Sequence, residues 1–382
     1  MTGLNGQRVY LDWNATAPLR PEARAAMLEA MDVFGNPSSV HAEGRAAKAI
    51  VEKARGQVAA LVGCEPDEVV FTSGATEAVA AAFYRGPLMP EWFSASRIEH
   101  EAVDAHVGYR DWPVDTLGQI ETQSGGNPVA YAILDDDFAV GLANGETGVI
   151  QPVAVVVGQV RSRPSGTGTV FSDLTQAVGK VPINLRALRI DLGCCSAHKF
   201  GGPKGIGALF VLGGQAFEAT MLKGGGQERG RRSGTENVIG IAGFGAAAEA
   251  AQRDLDADVW EPIKNLRNLL EERLATAAPE TIFFGQAAPR LPNTSYFAVP
   301  GWAGETQVMQ MDLAGFAVSA GSACSSGKVK KASRVLLAMG FDEITASSAI
   351  RVSMGPKTTE AEVMAFADAW IDAFRRRKAR AA

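Results

Sequence analysis

The sequence predicts an α/β fold in which a mainly parallel mixed sheet lies between helices, with a smaller α+β domain beside it. Short apolar strands alternate with helical stretches along most of the chain. Such buried strands suit a parallel sheet covered on both faces. After about residue 250 the pattern changes to a charged helix and separate strands, and 382 residues suffice for two or three domains. We place the large domain at 15–255 and the small domain at 1–14 and 256–382.

The elements of the large domain follow from the spacing of apolar residues. Residues 41–62 carry apolar side chains at helical intervals and predict a helix. Short apolar runs predict strands at 69–72, 131–134, 138–143, 169–172, 190–195 and 207–212.

The small domain begins with a charged helical segment at 255–277, followed by strand-like stretches at 294–299, 316–319 and 349–353. The last helix opens with Thr359 and Glu362, which have the spacing of a capping box. It closes on the basic run 375–378, which suits the negative end of the helix dipole better than it indicates a partner site.

Composition excludes several classes of protein. With 37 basic and 42 acidic side chains the net charge is −5, which argues against a nucleic-acid binder. No apolar run approaches the roughly 18 residues that span a bilayer, and residues 1–8 lack the apolar core of a secretory signal. The four cysteines form no C-x-x-C pair. We therefore expect a reduced, cytoplasmic protein without membrane contact.

Three segments indicate chemistry. The first, 73–77 (SGATE), joins a predicted strand to a helical stretch, so its N–H groups favour a phosphate, although an ordinary connection explains it when it is taken alone. The second places Asp173 at the carboxyl end of a strand, where it is either a ligand group or a helix cap.

The third segment presents Ser196, His198 and Lys199 at the end of a strand, before a glycine-rich turn. A lysine that loses hydration there favours the neutral amine that condenses with aldehydes, unless its side chain reaches the surface. The order of the three segments supplies the contacts that pyridoxal phosphate needs: a phosphate site, an Asp for the ring nitrogen and a Lys for the Schiff base.

The chain resembles the cysteine desulfurases of the class V aminotransferase family, which have the pyridoxal-phosphate fold type I. The strings that carry this resemblance are 10–18 (YLDWNATAP), 34–39 (FGNPSS), 73–77 (SGATE), 99–100 (EH), 225–236 (GGQERGRRSGTE), 321–324 (GSAC) and 351–355 (RVSMG). Each string is unspecific alone, but their joint occurrence in this order covers nearly the whole chain.

The resemblance implies roles for the cofactor-binding residues. Lys199 would hold pyridoxal phosphate as an internal aldimine, Asp173 would keep the ring nitrogen protonated, and Gln176 would hydrogen-bond the phenolic oxygen. The phosphate would be held by Ala75, Thr76, Ser196 and His198, joined by Thr235 from a second subunit, which implies a homodimer.

The resemblance also implies the reaction. His100 would stack on the ring and move protons, Asn14 and Arg351 would receive the substrate carboxylate, and Cys324 would be the nucleophile. L-cysteine would become L-alanine while its sulfur passes to Cys324 as a persulfide, and then to an acceptor such as an iron–sulfur scaffold protein. Thiolated tRNA and cofactors are alternative destinations.

Other interpretations stay open on the sequence. His100 taken alone is more often structural, and free cysteines such as Cys324 are usually buried and inert, although small and polar neighbours favour a reactive Cys324. The other cysteines look structural, and no zinc site is expected. Another class V enzyme, an aminotransferase or a selenocysteine/cysteine lyase, is one rival; a non-catalytic sulfur-relay scaffold is another.

The chain departs from the family pattern at two places. Many relatives have two asparagines where this chain has Asn144 and Gly145, so a ring contact is missing unless Asn144 replaces it. Relatives also commonly have a polar Asn within the segment 78–80 (AVA).

Overall fold

A computed structural model describes most of the chain. The described residues are 3–4, 6–84, 93–108, 111–124, 127–128, 137–162, 168–213, 221–321 and 332–381.

The helices of these ranges are α1 (Pro21–Met31), α2 (Ala42–Val62), α3 (Ala75–Phe83), α4 (Glu101–Asp104), α5 (Val153–Arg161), α6 (Leu185–Leu188), α7 (Val238–Asp256), α8 (Trp260–Ala277), α9 (Gly304–Leu313), α10 (Arg334–Ala338), α11 (Glu343–Ser347) and α12 (Glu360–Ala381). The strands are β1 (Val9–Tyr10), β2 (Val69–Thr72), β3 (Ser94–Ser96), β4 (Asp111–Trp112), β5 (Gln123–Ser124), β6 (Asn127–Pro128), β7 (Phe138–Gly141), β8 (Val170–Asp173), β9 (Leu192–Ser196), β10 (Gly207–Val211), β11 (Ile282–Phe283), β12 (Thr294–Ala298), β13 (Phe316–Ala317), β14 (Ser319–Ala320) and β15 (Ala349–Ser353).

The large sheet has the strand order β2-β10-β9-β8-β7-β3-β4. Strand β10 runs antiparallel to both of its neighbours, and the other pairings in this sheet are parallel. This arrangement confirms the predicted mainly parallel mixed sheet. The predicted strand at 131–134 lies outside the described residues.

Helices cover both faces of this sheet, as the apolar strands require. Helix α7 packs against α1 and α2, whereas α3 packs against β9 and β10. Large aromatic side chains fill the layers between them, among them Phe138, Phe171, Phe210 and Phe244, all fully buried. The sheet is therefore apolar on both faces, and polar ligands must bind at its edge.

The C-terminal part forms a second, antiparallel sheet with the order β11-β12-β15-β14. Its core contains Phe297 from β12 together with Phe366 and Trp370 from α12. The N-terminal arm joins this part through β1, which pairs with β13 in parallel. None of the helices in the described part of the chain is both long and apolar enough to cross a membrane.

Two predicted elements differ from the structure. The charged helix predicted from residue 255 begins only at Trp260, because the chain turns after α7, with Asp258 in the left-handed region at φ 52°. The strand predicted at 316–319 is divided between β13 and β14, which belong to different sheets. The capping box of the last helix is present: Glu362 N–H donates to Thr359 Oγ1 at 3.3 Å, and Thr359 N–H donates to Glu362 Oε2 at 2.8 Å.

Candidate active site

A cavity of about 730 Å³ opens beyond the carboxyl ends of β8 and β9, where open α/β sheets bind ligands. Most of the predicted site residues line it. They are Asn14, Ala75, Thr76, His100, Asp173, Gln176, Ser196, His198, Lys199 and Arg351.

Two predicted residues are not among those that line the cavity. Thr235 is exposed on the surface of its own chain. Cys324 lies outside the described residues. The described segments on either side of it, ending at Gly321 and resuming at Ala332, both reach the wall of the cavity.

The turn before α3 forms one end of the cavity. Ala75 N–H donates to Ser196 Oγ at 2.8 Å, which ties the first turn of α3 to the end of β9. Gly207 allows this approach, because a Cβ there would lie 2.8 Å from Gly74 Cα. Glu77 fixes the turn further, accepting from Ser73 N–H at 2.7 Å and pairing with Arg232 at 2.9 Å. The helix N-terminus therefore faces the cavity in a rigid frame suited to a phosphate.

His198 borders the same end. Its Nδ1 lies 3.2 Å from Thr16 Oγ1. Burial, followed by the nearby charges of Lys199 and Lys204, lowers the pKa of His198 to about 4. The ring is therefore neutral at pH 7 and offers a hydrogen bond rather than a charge.

Of the two roles that the sequence left open for Asp173, the structure favours the ligand group over the helix cap. Its Oδ1 accepts from Thr175 N–H at 2.9 Å and from Cys194 Sγ at 3.6 Å, which holds the carboxylate in place. Its Oδ2 makes no hydrogen bond with the described part of the chain and is left for a ligand. No helix follows directly, so the carboxylate serves a turn and the cavity rather than a helix cap.

Lys199 extends across the cavity towards the N-terminal arm. Its Nζ donates to the carbonyl oxygens of Asn14 at 2.8 Å and Ala15 at 3.0 Å. These two carbonyls hold the amine beside Asp173 and Gln176, which line the same cavity.

Asn14 is fully buried, and its amide is held by protein groups. Its Nδ2 donates to Thr294 Oγ1 at 2.9 Å and to the Gly145 carbonyl at 3.4 Å, while its Oδ1 accepts from Lys180 and Asn293. Its predicted contact with a substrate carboxylate would have to share these donors.

Arg351 lies on β15 at the floor of the cavity. Its guanidinium donates to the Gly145 carbonyl at 2.8 Å and to Asp12 Oδ1 at 2.9 Å. Its Nε is buried and has no hydrogen-bond partner in the described part of the chain. The side chain therefore retains an unsatisfied donor at a site predicted to receive a carboxylate.

His100 lies at the rim, where its Nδ1 accepts from Ala102 N–H at 3.1 Å. This bond leaves the proton of the neutral ring on Nε2. The preceding Glu99 is buried, and its Oε2 accepts from Gly141 N–H at 2.9 Å. Burial, followed by the charge of Asp173, raises the pKa of Glu99 to about 8, against the opposing effect of the Gly141 hydrogen bond.

Sequence reasoning gave no role to several polar residues of the site. Glu99 and Asp12 belong to the sequence strings that carry the family resemblance, so the sequence could have indicated them as site residues. Lys180 and Glu146 follow other motif residues by four and two positions, but only the fold shows that Lys180 is buried and that the half-buried Glu146 lines the cavity.

Asn144, the residue that could replace the contact missing at Gly145, lines the cavity and is held by backbone groups. Its Nδ2 donates to the Ile98 carbonyl at 2.9 Å, and its Oδ1 accepts from the N–H groups of Glu146 and Thr147. The amide oxygen thus serves its own turn, and the amide nitrogen ties this turn to Ile98.

The remaining cysteines fit structural roles. Cys194 and Cys195 are fully buried on β9, and burial raises the pKa of both thiols. Burial also raises the pKa of Cys64 to about 12. The described residues contain no cluster of side chains that could hold a metal ion.

The donor set fits pyridoxal phosphate. The N-terminus of α3, with Ser196 and neutral His198, matches a phosphate; Asp173 Oδ2 matches a protonated ring nitrogen; Lys199 matches the aldehyde. Each of these groups lines one continuous cavity.

Comparisons with known proteins agree. The family model for class V aminotransferases matches residues 9–104 and 114–366. A cysteine desulfurase of Cereibacter sphaeroides is 42% identical over 377 residues, covering 94% of this chain and 93% of that protein. One from Enterobacter agglomerans is 39% identical, covering 94% and 90%. The X-ray structure of a NifS-like protein from Rickettsia africae superposes with a TM-score of 0.83 at 31% identity, covering 97% of this chain and all of that one. The chain therefore belongs to the class V aminotransferase family, and within it is related to the cysteine desulfurases.

Proposed function

We propose that this protein, a pyridoxal-phosphate-dependent cysteine desulfurase, moves the sulfur of L-cysteine onto Cys324 and releases L-alanine. The reaction is balanced in atoms and electrons: a cysteine and an enzyme thiol become an alanine and an enzyme persulfide. The observation that supports it most is the convergence of Lys199, Asp173 and Arg351 on one cavity. An amine, a carboxylate and a planar cation are the groups that a cofactor aldehyde, its ring nitrogen and an amino-acid carboxylate require.

When bound, pyridoxal phosphate supplies an aldehyde for amines and a ring that withdraws electrons. Lys199 is the linking amine in this proposal, and the carbonyls of Asn14 and Ala15 hold it in place beforehand. Asp173 stabilises the ring cation with Oδ2, since Oδ1 is already used by Thr175 and Cys194. Gln176 donates to the ring oxygen.

Arg351 binds the substrate carboxylate. Its guanidinium is held by Asp12 and the Gly145 carbonyl, so little side-chain entropy is lost on binding. Its buried Nε has no hydrogen-bond partner in the described part of the chain. Asn14, the second residue proposed for the carboxylate, donates to the same Gly145 carbonyl at 3.4 Å.

Proton transfer falls to two residues. The freed amine of Lys199 removes the α-proton, because it is already positioned over the cavity. His100 keeps a proton on Nε2 while Nδ1 is occupied by Ala102, so it can exchange protons at the rim.

Cys324 is the sulfur acceptor on the strength of its sequence context. A thiol with a pKa near 8.5 is only a few per cent ionised at neutral pH, so the transfer needs a proton acceptor. A reactive thiol must also stay reduced, so we place the enzyme in the cytoplasm. An iron–sulfur scaffold protein is the acceptor that we propose for the persulfide.

A homodimer completes the site in this proposal. Thr235 is exposed on its own chain and would reach the phosphate of a second copy. Large apolar side chains are also exposed along 28–40: Leu28, Met31, Phe34 and Val40, with Phe34 87% and Val40 88% exposed. A second copy would cover such a surface.

The test has two parts. Borohydride reduction followed by peptide mapping should place the cofactor on Lys199; an adduct elsewhere, or none, would overturn the proposal. Cys324→Ser should then lower sulfide release by at least ~100-fold while the yellow cofactor absorbance stays.

The matched control is Cys64→Ser, which removes a thiol of raised pKa and should change the rate less than about twofold. Undiminished sulfide release by Cys324→Ser would contradict the persulfide role. Keto-acid formation without sulfide would instead indicate an aminotransferase.

A further inference from the structure

Lys180 is a buried amine that has no carboxylate partner among the described residues. Only 3% of the residue is exposed, and its Nζ donates to Asn14 Oδ1 and Gln176 Oε1, both at 2.9 Å. It forms no ion pair with any described residue. Arg55 forms an ion pair with Glu228 and Arg290 forms one with Glu271, whereas the buried Arg267 donates to the Leu291 carbonyl and to Asn268 Oδ1.

The charges around Lys180 have its own sign. Burial first, and then the charges of Lys199 and Arg351, lower the pKa of Lys180 well below its usual value. A buried amine without a counter-ion costs free energy, and a methionine of similar length would fill the same space without that cost. Packing alone therefore gives no reason for a lysine here.

The hydrogen bonds of Lys180 explain why a lysine is present. An N–H of the amine needs an acceptor, so the Gln176 amide must present its oxygen, not its nitrogen, to Lys180. Gln176 must turn Oε1 towards Lys180, and its Nε2 then donates to the Asn14 carbonyl at 3.0 Å. Nε2 carries two hydrogens, and this carbonyl takes one. The neighbouring Gly145 leaves space beside it, since even a Cβ there would stay 3.4 Å from Nε2.

We propose that Lys180 is a positioning residue for the cofactor: it fixes the Gln176 amide so that an N–H, and never the carbonyl, faces the ring oxygen of pyridoxal phosphate. A donor at that place favours the ionised ring oxygen over the phenol. The inference rests on the proposed contact between Gln176 and the ring oxygen. It adds a residue that makes no direct contact with the cofactor.

The test is a pH titration of the absorbance of the loaded enzyme. In Lys180→Met the Gln176 amide loses its anchor and the ring oxygen loses its donor. That oxygen then relies on the proton of the linkage nitrogen, which should keep its proton to higher pH. We expect the apparent pKa of the linkage to rise by about one unit, as the loss of one hydrogen bond to a charged group implies.

A double-mutant cycle separates positioning from charge. If Lys180 acts through Gln176, then Lys180→Met should add no further shift in a Gln176→Leu background. Additive shifts would overturn the proposal, as would an unchanged pKa in the single variant. Lys180→Leu removes the same donors and takes the place of the methionine variant should that one not load.

Thr294→Val is the matched structural control. It removes the Oγ1 that accepts from Asn14, in the same buried cluster, but it leaves Gln176 untouched. Its linkage pKa should stay at the wild-type value, and an equal rise there would show general loosening and contradict the proposal. Mapping of the adduct to Lys199 tests the proposed function separately, so the two can fail independently.

Discussion

Arg55 in the frame and Lys180 next to the cavity are both buried cations, but their hydrogen-bond partners differ in charge. Arg55 lies under β2, where its guanidinium donates to Glu228 at 2.7 and 2.9 Å and to the Val69 carbonyl at 2.8 Å. Lys180 is equally buried, but it meets only amide oxygens. The Glu99 carboxylate likewise meets a backbone N–H and forms no ion pair with a described residue, although Arg334 donates to the Glu99 carbonyl oxygen at 2.7 Å.

The difference separates a buried ion pair of the frame from two unpaired groups next to the cavity. A buried ion pair neutralises itself and stiffens the fold, whereas breaking it leaves an uncompensated charge. The unpaired groups at the cavity stay uncompensated in the free protein, and an anionic ligand can compensate the cations among them. Lys180 and Glu99 are such groups next to the cavity, whereas Arg351 in the cavity is paired with Asp12.

The largest effect should come from breaking a frame pair. Glu228→Gln leaves Arg55 buried without its counter-ion and should lower the free energy of unfolding by about 3–5 kcal/mol. Urea unfolding at fixed protein concentration measures this. Glu249→Gln is the control, because its exposed pair with Arg253 should contribute less than about 1 kcal/mol. Equal losses of unfolding free energy in the two variants would contradict the special importance of the buried pair.

A smaller, pH-dependent effect is expected at Glu99. Its pKa in the folded protein is about 8, above the ordinary 4.5, so folding takes up a proton between these values. The folded state of the wild type should lose stability as pH rises through this window, by up to about 1.4 kcal/mol per unit.

Glu99→Gln keeps an oxygen for Gly141 N–H but does not titrate. The stability of this variant relative to the wild type should therefore grow from pH 5 to pH 8, and unfolding at both pH values checks it. Glu101→Gln, an exposed neighbour, should show no such trend. A constant difference at Glu99 would mean that its carboxyl is ionised throughout.

The smallest free-energy change should come from Arg351→Lys. One ammonium cannot replace the guanidinium fork, so KM for L-cysteine should rise about 10- to 100-fold, equivalent to about 1.4–2.7 kcal/mol. Steady-state kinetics measure this. Arg290→Lys, which alters the pair with Glu271, should lower stability but leave KM unchanged. An equal rise in KM in both variants would contradict a specific role of Arg351 in binding the substrate.

Much of the fold was predictable because the burial of an element determines the pattern of apolar residues in its sequence. Strands β2, β7, β8, β9 and β10 were all found within a few residues, since a strand that is apolar on both faces forms a short unbroken run. The break before α8 was missed because Asp258 reverses the chain without glycine or proline. The domain boundary near residue 255 stays a prediction.

For the site, the sequence predicted the separate motifs but not their hydrogen bonds. Residues as far apart as Asn14, Lys199 and Arg351 carried recognisable contexts, and the structure places them around one cavity. The sequence could not tell whether Asn144 serves the ring or its own turn, because both uses need the same amide.

By itself, the sequence determined the layer architecture and the kinds of chemical group available, because apolar periodicity and side-chain type are local properties. Tertiary structure alone decided which charges are neutralised. Arg55 and Lys180 look alike as basic residues in mixed surroundings, and only the folded chain brings Glu228 to the one and no carboxylate to the other. The physical reason is that electrostatic compensation depends on distances of a few ångströms between residues far apart in the chain.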